Sequence, residues 1–486
     1  MIPVNEDVLR RTAERCRQRG IVIPTFAELR DPRRVPDGVR RRLRRAGIED
    51  LDPANLFRIT WKNEPQAQGG LFNDGNRIEF PPELTGVPAR IIGLAGKHFP
   101  TGSHKVGAGF GCLVPRLVTG GFDPTRQKAV WPSTGNYCRG GAFDCALLAC
   151  PAVAILPEEM SRERFDWLRA VGTEEIIATP GCESNVKEIY DKCWELKAQR
   201  GDEIVIFNQF SEFGNAAWHY HVTGPALWEA WEAAARPGDR LQGFVSATGS
   251  AGTIAAGDYL KTRAPGIAVT AAEALQCPTL LLCGFGGHRI EGIGDKHVPW
   301  IHNVRNTDVV CAVDDEQCLA MLRLFNEDEG RRFLRAEGVA ADLVEELPLL
   351  GISSLCNLVA AIKTARYYEL NRQDAVLTVL TDSAAMYASR IVEQREAQGP
   401  YSRERAARDF GRCLDGIDIG NLQELSYRDR KRLHNFKYFT WVEQQQRTAA
   451  ELRELWDPDF WTETYAQVEA WDEQIRAFNA MVGITV

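Results

Sequence analysis

The sequence predicts an α/β protein built on parallel β-sheet, with a helical extension at its C-terminal end. Three observations carry that reading. Between about Ala89 and Leu380, short apolar runs alternate with amphipathic helical stretches. The runs are apolar almost throughout, as in strands covered on both faces. From about Gly399 the texture changes to charged, Trp- and Phe-bearing segments of helical period.

Taken in order, the predicted strands are "ARIIGLA" (Ala89 to Ala95), "AVAILP" (Ala152 to Pro157), "EEIIAT" (Glu174 to Thr179), "EIVIFN" (Glu203 to Asn208), "GFVSAT" (Gly243 to Thr248), "IAVTAAE" (Ile267 to Glu273) and "AVLTVLT" (Ala375 to Thr381). Helices such as "SNVKEIYDKCWELKAQRG" separate several of them, and strands alternating with helices imply a parallel sheet. The first ~55 residues read as a helical lead-in, by the same helical period as the tail. No internal repeat or low-complexity linker is visible.

The chain has 486 residues, 44% hydrophobic and 26% charged, enough for two or three domains with real cores. A net charge of -8 argues against a nucleic-acid binder, whose affinity rests on cations neutralising phosphates. The basic stretch "RRVPDGVRRRLRRAG" (Arg33 to Gly47) reads as a solvated helical face. Thirteen cysteines without CxxC pairs fit reduced thiols in a cytoplasm better than a disulfide framework or a zinc site. No apolar run reaches the ~18 residues that span a bilayer, and "MIPVNEDVLRRTAERC" shows no signal-peptide core. A soluble cytoplasmic protein is the expectation, with no membrane and no metal.

Four stretches carry candidate chemistry. "FPTGSHKVGAGFG" (Phe99 to Gly111) surrounds Lys105 with small residues, as though a ligand had to lie against it. "SATGSAGTIAAGDYL" (Ser246 to Leu260) reads strand, Gly/Ser turn, helix, the geometry of an anion site built from backbone N–H groups. It lacks the GK[ST] of a Walker loop and the GxGxxG register, and a tight turn holding nothing is the alternative. "WPSTGNYCRGGA" (Trp131 to Ala142) offers hydroxyls and amides for a carboxylate, or is an ordinary polar loop. "LTDSAAMY" places Ser383 past the last strand, and "GISSLCNLVAAIK" places Ser353 and Ser354 at a helix start, where the alternative for each is an N-cap. A lysine, a phosphate cradle, a carboxylate cradle and a spare hydroxyl together suit pyridoxal phosphate carrying an amino acid.

In order, "SHK", "STGN", "TGSAGT", "EGIG", "GISS" and "TDSA" resemble the fold-type II pyridoxal-phosphate enzymes, most closely the cysteine synthase/cystathionine β-synthase-like group, over roughly Ala89 to Arg390. The resemblance implies two parallel-sheet α/β domains of tryptophan synthase β-like type. Residues 1–98 would be the lead-in and first part of the large domain, 99–215 the smaller domain, 216–395 the large domain and 396–486 the helical extension. By the same resemblance Lys105 forms the Schiff base and takes the α-proton, and Asn136 bonds the cofactor's 3-hydroxyl. Gly249, Ser250, Ala251, Gly252 and Thr253 hold the phosphate. Ser383, with Ser353 the weaker candidate, meets the pyridine nitrogen; Asp382 beside it is a competing carboxylate. Ser133, Thr134, Gly135, Tyr137 and Gln209 receive the substrate carboxylate.

The implied reaction is β-elimination or β-replacement on serine, O-acetylserine, cysteine or a relative, through an aminoacrylate, in a homodimer. The alternatives are a β-lyase or ammonia-lyase giving pyruvate, or a racemising or acyl-transferring subunit. Departures from the family pattern lie at Tyr137, Cys138 and Arg139 and at Asp295, Lys296 and His297. Arg139, Lys296 and His297 suggest a substrate with an extra polar or anionic group, unless they face solvent at the cleft rim. Cys138 reads as a buried structural thiol. The tail has no counterpart in a minimal cysteine synthase.

Overall fold

A computed structural model describes residues 5–133, 135–182 and 185–485. Its strands are β1 (Arg77–Phe80), β2 (Arg90–Ala95), β3 (Lys128–Pro132), β4 (Ala152–Pro157), β5 (Glu175–Thr179), β6 (Ile204–Ile206), β7 (Arg240–Ala247), β8 (Ala268–Ala274), β9 (Val309–Val313), β10 (Asp374–Leu380) and β11 (Leu422–Glu424). The larger sheet has the order β1-β2-β10-β7-β8-β9-β11. Its five central strands are parallel, and β1 and β11 are antiparallel edges. The smaller sheet, β5-β4-β3-β6, is parallel throughout.

Burial explains why these strands form. Every residue of β2, β4 and β10 is buried, so both faces of each sheet are covered. At the centre of the large sheet Leu377 stands opposite Ile92 on one side and Phe244 on the other. In the small sheet Val130 stands between Val153 and Ile206. The helix Ile352–Tyr367, buried from Ile352 through Ala365, packs on the large sheet.

The seven strands predicted from apolar runs are all present, and four more appear, one of them β3, the run "KAVWP". β1 alternates exposed and buried, β9 is the five-residue apolar run "VVCAV", and β11 lies within the tail. The tail is therefore not purely helical. Its β11 pairs Leu422 with Cys311 and Glu424 with Val309, covering an edge that would otherwise leave backbone groups unpaired. The rest is helical, including Tyr427–Lys437 and Pro458–Val482.

The lead-in and the tail pack together. In the helix Glu6–Arg19, Leu9, Ala13 and Cys16 are buried, and Arg17 Nε donates to Val482 O (2.9 Å). Asp472 accepts from Phe26 N (2.6 Å) and Ala27 N (3.1 Å). In the basic stretch Val39 and Leu43 turn inward while Arg41, Arg42, Arg44 and Arg45 are exposed, the solvated face read from the sequence. Among the described residues no helix is long and apolar enough to cross a membrane.

Candidate active site

The candidate loops leave carboxyl ends of parallel strands: Ser133–Tyr137 after β3, Gln209 after β6, Gly249–Thr253 after β7 and Ser383 after β10. Ligands of open α/β sheets gather there. Lys105 opens the helix Lys105–Leu117, directly after a turn in which Thr101 and Gly102 take left-handed backbone (φ 70° and 69°). Its side chain is nearly buried, with Nζ 3.2 Å from Ser250 Oγ and 3.5 Å from Gln209 Oε1.

Part of this set borders one small cleft between the two sheets, and Ser383, Ala251, Gly252 and Thr253 are not in its lining. Lys105, Ser133, Asn136 and Gln209 line it from the side of the small sheet; Gly249, Ser250 and Asp295 line it from the large one. Ser133 Oγ accepts from Gly135 N (3.0 Å) and from Gln209 Nε2 (3.4 Å). Tyr137 borders the cleft while its hydroxyl donates to Phe207 O (3.2 Å). Thr134 lies outside the described residues. Ala251 holds φ 61° in the turn, and Gly252 and Thr253 lead into the helix Ile254–Arg263. Asn215, which the sequence did not single out, is fully buried and donates to Ser250 Oγ (2.9 Å) and Gln209 O (3.0 Å). It ties the Gly249–Thr253 turn to the Gln209 loop.

Asn136 Nδ2 donates to Asp382 Oδ2 (2.6 Å), which also accepts from the Tyr387 hydroxyl (2.8 Å). Arg164 Nη2 donates to that hydroxyl (3.2 Å), and Arg164 pairs with Glu291 of "EGIG", which also accepts from Arg390 Nε (2.7 Å). The network crosses between the two sheet bodies and is buried except at Arg390. Burial raises the Asp382 carboxyl, and Arg164, Asn136, Tyr387 and Arg139 pull it back. Three buried polar atoms, Asn136 Oδ1, Ser353 Oγ and Ser383 Oγ, have no hydrogen-bond partner among the described residues. Buried polar atoms are ordinarily paired.

Some readings of the sequence fall elsewhere. The glycines after Lys105 serve helix packing. A Cβ on Gly107 would sit 2.2 Å from the Trp218 ring, and one on Gly111 would sit 2.3 Å from Gly214 O. Arg139 is buried away from the cleft lining. Its guanidinium lies 4.5 Å from the Trp167 ring centroid, its Nη1 is 2.9 Å from Met386 Sδ, and burial lowers its pKa to about 10. His297 is half-buried among Tyr190, Phe210 and Trp441, and desolvation lowers it to about 3, so it carries no charge near neutrality. Lys296 is exposed, and Asp295 is the member of the triplet that lines the cleft. Cys138 is buried, as read, with burial raising its thiol to about 12.

Two parallel-sheet bodies meeting at a buried lysine define the class of fold-type II pyridoxal-phosphate enzymes. Residues 95–382 match the family described as pyridoxal-phosphate dependent enzyme. The chain belongs to that family, in its cysteine synthase group. It is 32% identical over 261 residues to a cysteine synthase of Staphylococcus aureus, covering 54% of this chain and 75% of that one. It is 28% identical over 291 residues to a probable cysteine synthase of Bacillus subtilis, covering 60% and 85%. Among solved structures it is similar to an O-acetylserine dependent cystathionine beta-synthase from Helicobacter pylori, with TM-score 0.53, 25% identity, and 65% and 94% of the two chains covered.

The family's cofactor is pyridoxal phosphate, and the donor set fits it. A buried amine, Asn136 and a strand-to-helix turn rich in N–H groups border one cleft, and Asn136, Ser353 and Ser383 carry buried polar atoms without a partner among the described residues.

Proposed function

We propose that the protein carries out β-replacement or β-elimination on serine, O-acetylserine or a related β-substituted L-amino acid, using pyridoxal phosphate held on Lys105. The buried Lys105 amine, within reach of both Ser250 and Gln209, is the observation that carries this reading. The cysteine synthases among the relatives support the choice of reaction.

Bound pyridoxal phosphate would supply an electron sink for the amino acid's α-carbon. The remaining work falls to the chain. The Gly249–Thr253 turn and the following helix N-terminus would hold the phosphate through backbone N–H groups. Asn136, oriented by Asp382, keeps its second Nδ2–H for the ring's 3-oxygen, and Ser383 or Ser353 offers a hydroxyl to the ring nitrogen. Ser133, Gly135 and Gln209 would receive the substrate carboxylate, with the Ser133–Gln209 bond preorganising both side chains. Lys105 Nζ, once free, is the base for the α-proton. Asp295 gives the cleft wall a carboxylate, which favours a second substrate without an added negative charge, the reverse of the sequence expectation.

The division at residues 98, 215 and 395 is proposed on the same footing, with the small sheet inside 128–206 in its support. A homodimer and a cytoplasmic location are proposed on the cysteine synthase resemblance. Borohydride treatment of the reconstituted protein, followed by peptide mapping, tests the lysine. A pyridoxyl mass on the Lys105 peptide is the expected result; the mass on another lysine, or on none, overturns the assignment.

A further inference from the structure

The helix Tyr427–Lys437 and the turn Tyr438–Val442 that continues it lie against residues 297–302. Lys437 is fully buried, and its Nζ donates to Trp300 O (2.9 Å) and His302 O (2.7 Å). Trp441 Nε1 donates to Val298 O (2.9 Å). Two tail side chains thus take the carbonyls of residues 298, 300 and 302, alternate residues of a segment with no helix or sheet of its own. Buried carbonyls need partners, and here the tail supplies them.

The contact continues to the cleft. The Trp441 ring centroid is 5.5 Å from His297, and His297 is 5.3 Å from Phe210. Ile301 N donates to Phe210 O (3.2 Å), and Tyr190 hydroxyl lies 3.2 Å from His297 Nε2. Phe210, Ile293 and Asp295 line the cleft, Ile293 and Asp295 on the stretch of chain that leads into His297. Burial drives the Lys437 amine well below the usual lysine range. Each of the two carbonyls takes one of its N–H groups.

We propose that the tail is part of the active-site architecture. Lys437 and Trp441 are positioning residues that fix the wall formed by Phe210 and residues 293–302, and so set how the cleft fits its amino-acid substrate. This rests on the proposed reaction for its substrate half and on geometry alone for its structural half.

The test uses the full-length holoenzyme as wild type, Lys437→Met and Trp441→Phe. Trp441→Phe keeps an aromatic ring while removing the indole N–H and its pyrrole ring, a smaller change than removing the buried amine, so it remains informative if Lys437→Met fails to fold. Hydrogen exchange is read across the chain by mass spectrometry, alongside pyridoxal-phosphate affinity and steady-state kinetics. Exchange should accelerate in peptides spanning 293–303 and stay level elsewhere. KM for the amino-acid substrate should rise about fivefold or more with cofactor affinity unchanged. A merely structural role would lower kcat with the active fraction and leave KM alone, and that outcome overturns the proposal. So does unchanged exchange at 293–303 in a folded variant. A wild type without activity on any β-substituted amino acid refutes the proposed reaction instead, and the exchange result then decides the structural half alone.

Discussion

At the residue scale the site depends on carboxyl groups as much as on its lysine. Asp382 fixes which end of the Asn136 amide faces the cleft, because Nδ2 is held at 2.6 Å. Asp382→Ala frees that amide to rotate. A lost hydrogen bond is worth about 0.5–1.5 kcal/mol, so pyridoxal-phosphate affinity should fall severalfold by fluorescence titration of the apoprotein. Unchanged affinity in a folded variant would show that Asp382 does not orient Asn136. Asp144 acts differently. It is fully buried, neither carboxylate oxygen has a partner among the described residues, and burial drives its pKa well above the carboxylate range. Between the ordinary range and that raised value the folded protein keeps a proton the unfolded chain has lost, so stability falls as pH rises through the window. Asp144→Asn has no such proton. Its Tm relative to wild type should climb with pH; parallel Tm curves would contradict the assignment.

At the element scale the Lys105–Leu117 helix is placed by close approach. Gly111→Ala sets a methyl 2.3 Å from Gly214 O, against backbone that cannot swing aside. Overpacking of this kind costs about 1–3 kcal/mol, and the resulting shift of the helix would carry Lys105 away from Ser250 and Gln209. A thermal melt should show a Tm several degrees lower, with weaker cofactor binding. A wild-type melt would mean that the two segments separate freely. The same helix marks how far the sequence could be read. β2, β4 and β10 were legible because burial on both faces writes an apolar run. The glycines beside Lys105 were legible as a demand for space, but nothing in the sequence says that Trp218 and Gly214, about a hundred residues on, fill it. β11 has three residues, too few for a period. Arg164, Lys437 and Trp441 stand in charged helical segments whose spacing is that of a solvated face, and only tertiary packing turns them inward.

At the scale of the whole molecule, the chain's two ends pack against each other and the tail packs against a cysteine-synthase-like body. The lead-in meets the tail at Asp472, and the tail meets the cleft wall at Lys437 and Trp441. Polar links cross between the sheet bodies from Asn136 to Asp382 and from Arg164 to Glu291. All of this converges on one claim: pyridoxal phosphate on Lys105 drives exchange or loss of a β-substituent. Product analysis tests it most directly. Reconstituted wild type and Lys105→Ala are each incubated with O-acetylserine or serine, with and without sulfide, and the products are identified by mass spectrometry. The account predicts a β-replaced amino acid, or pyruvate and ammonia, from wild type, and none from Lys105→Ala. Equal product from the two proteins, or intact substrate with every amino acid tried, would contradict it.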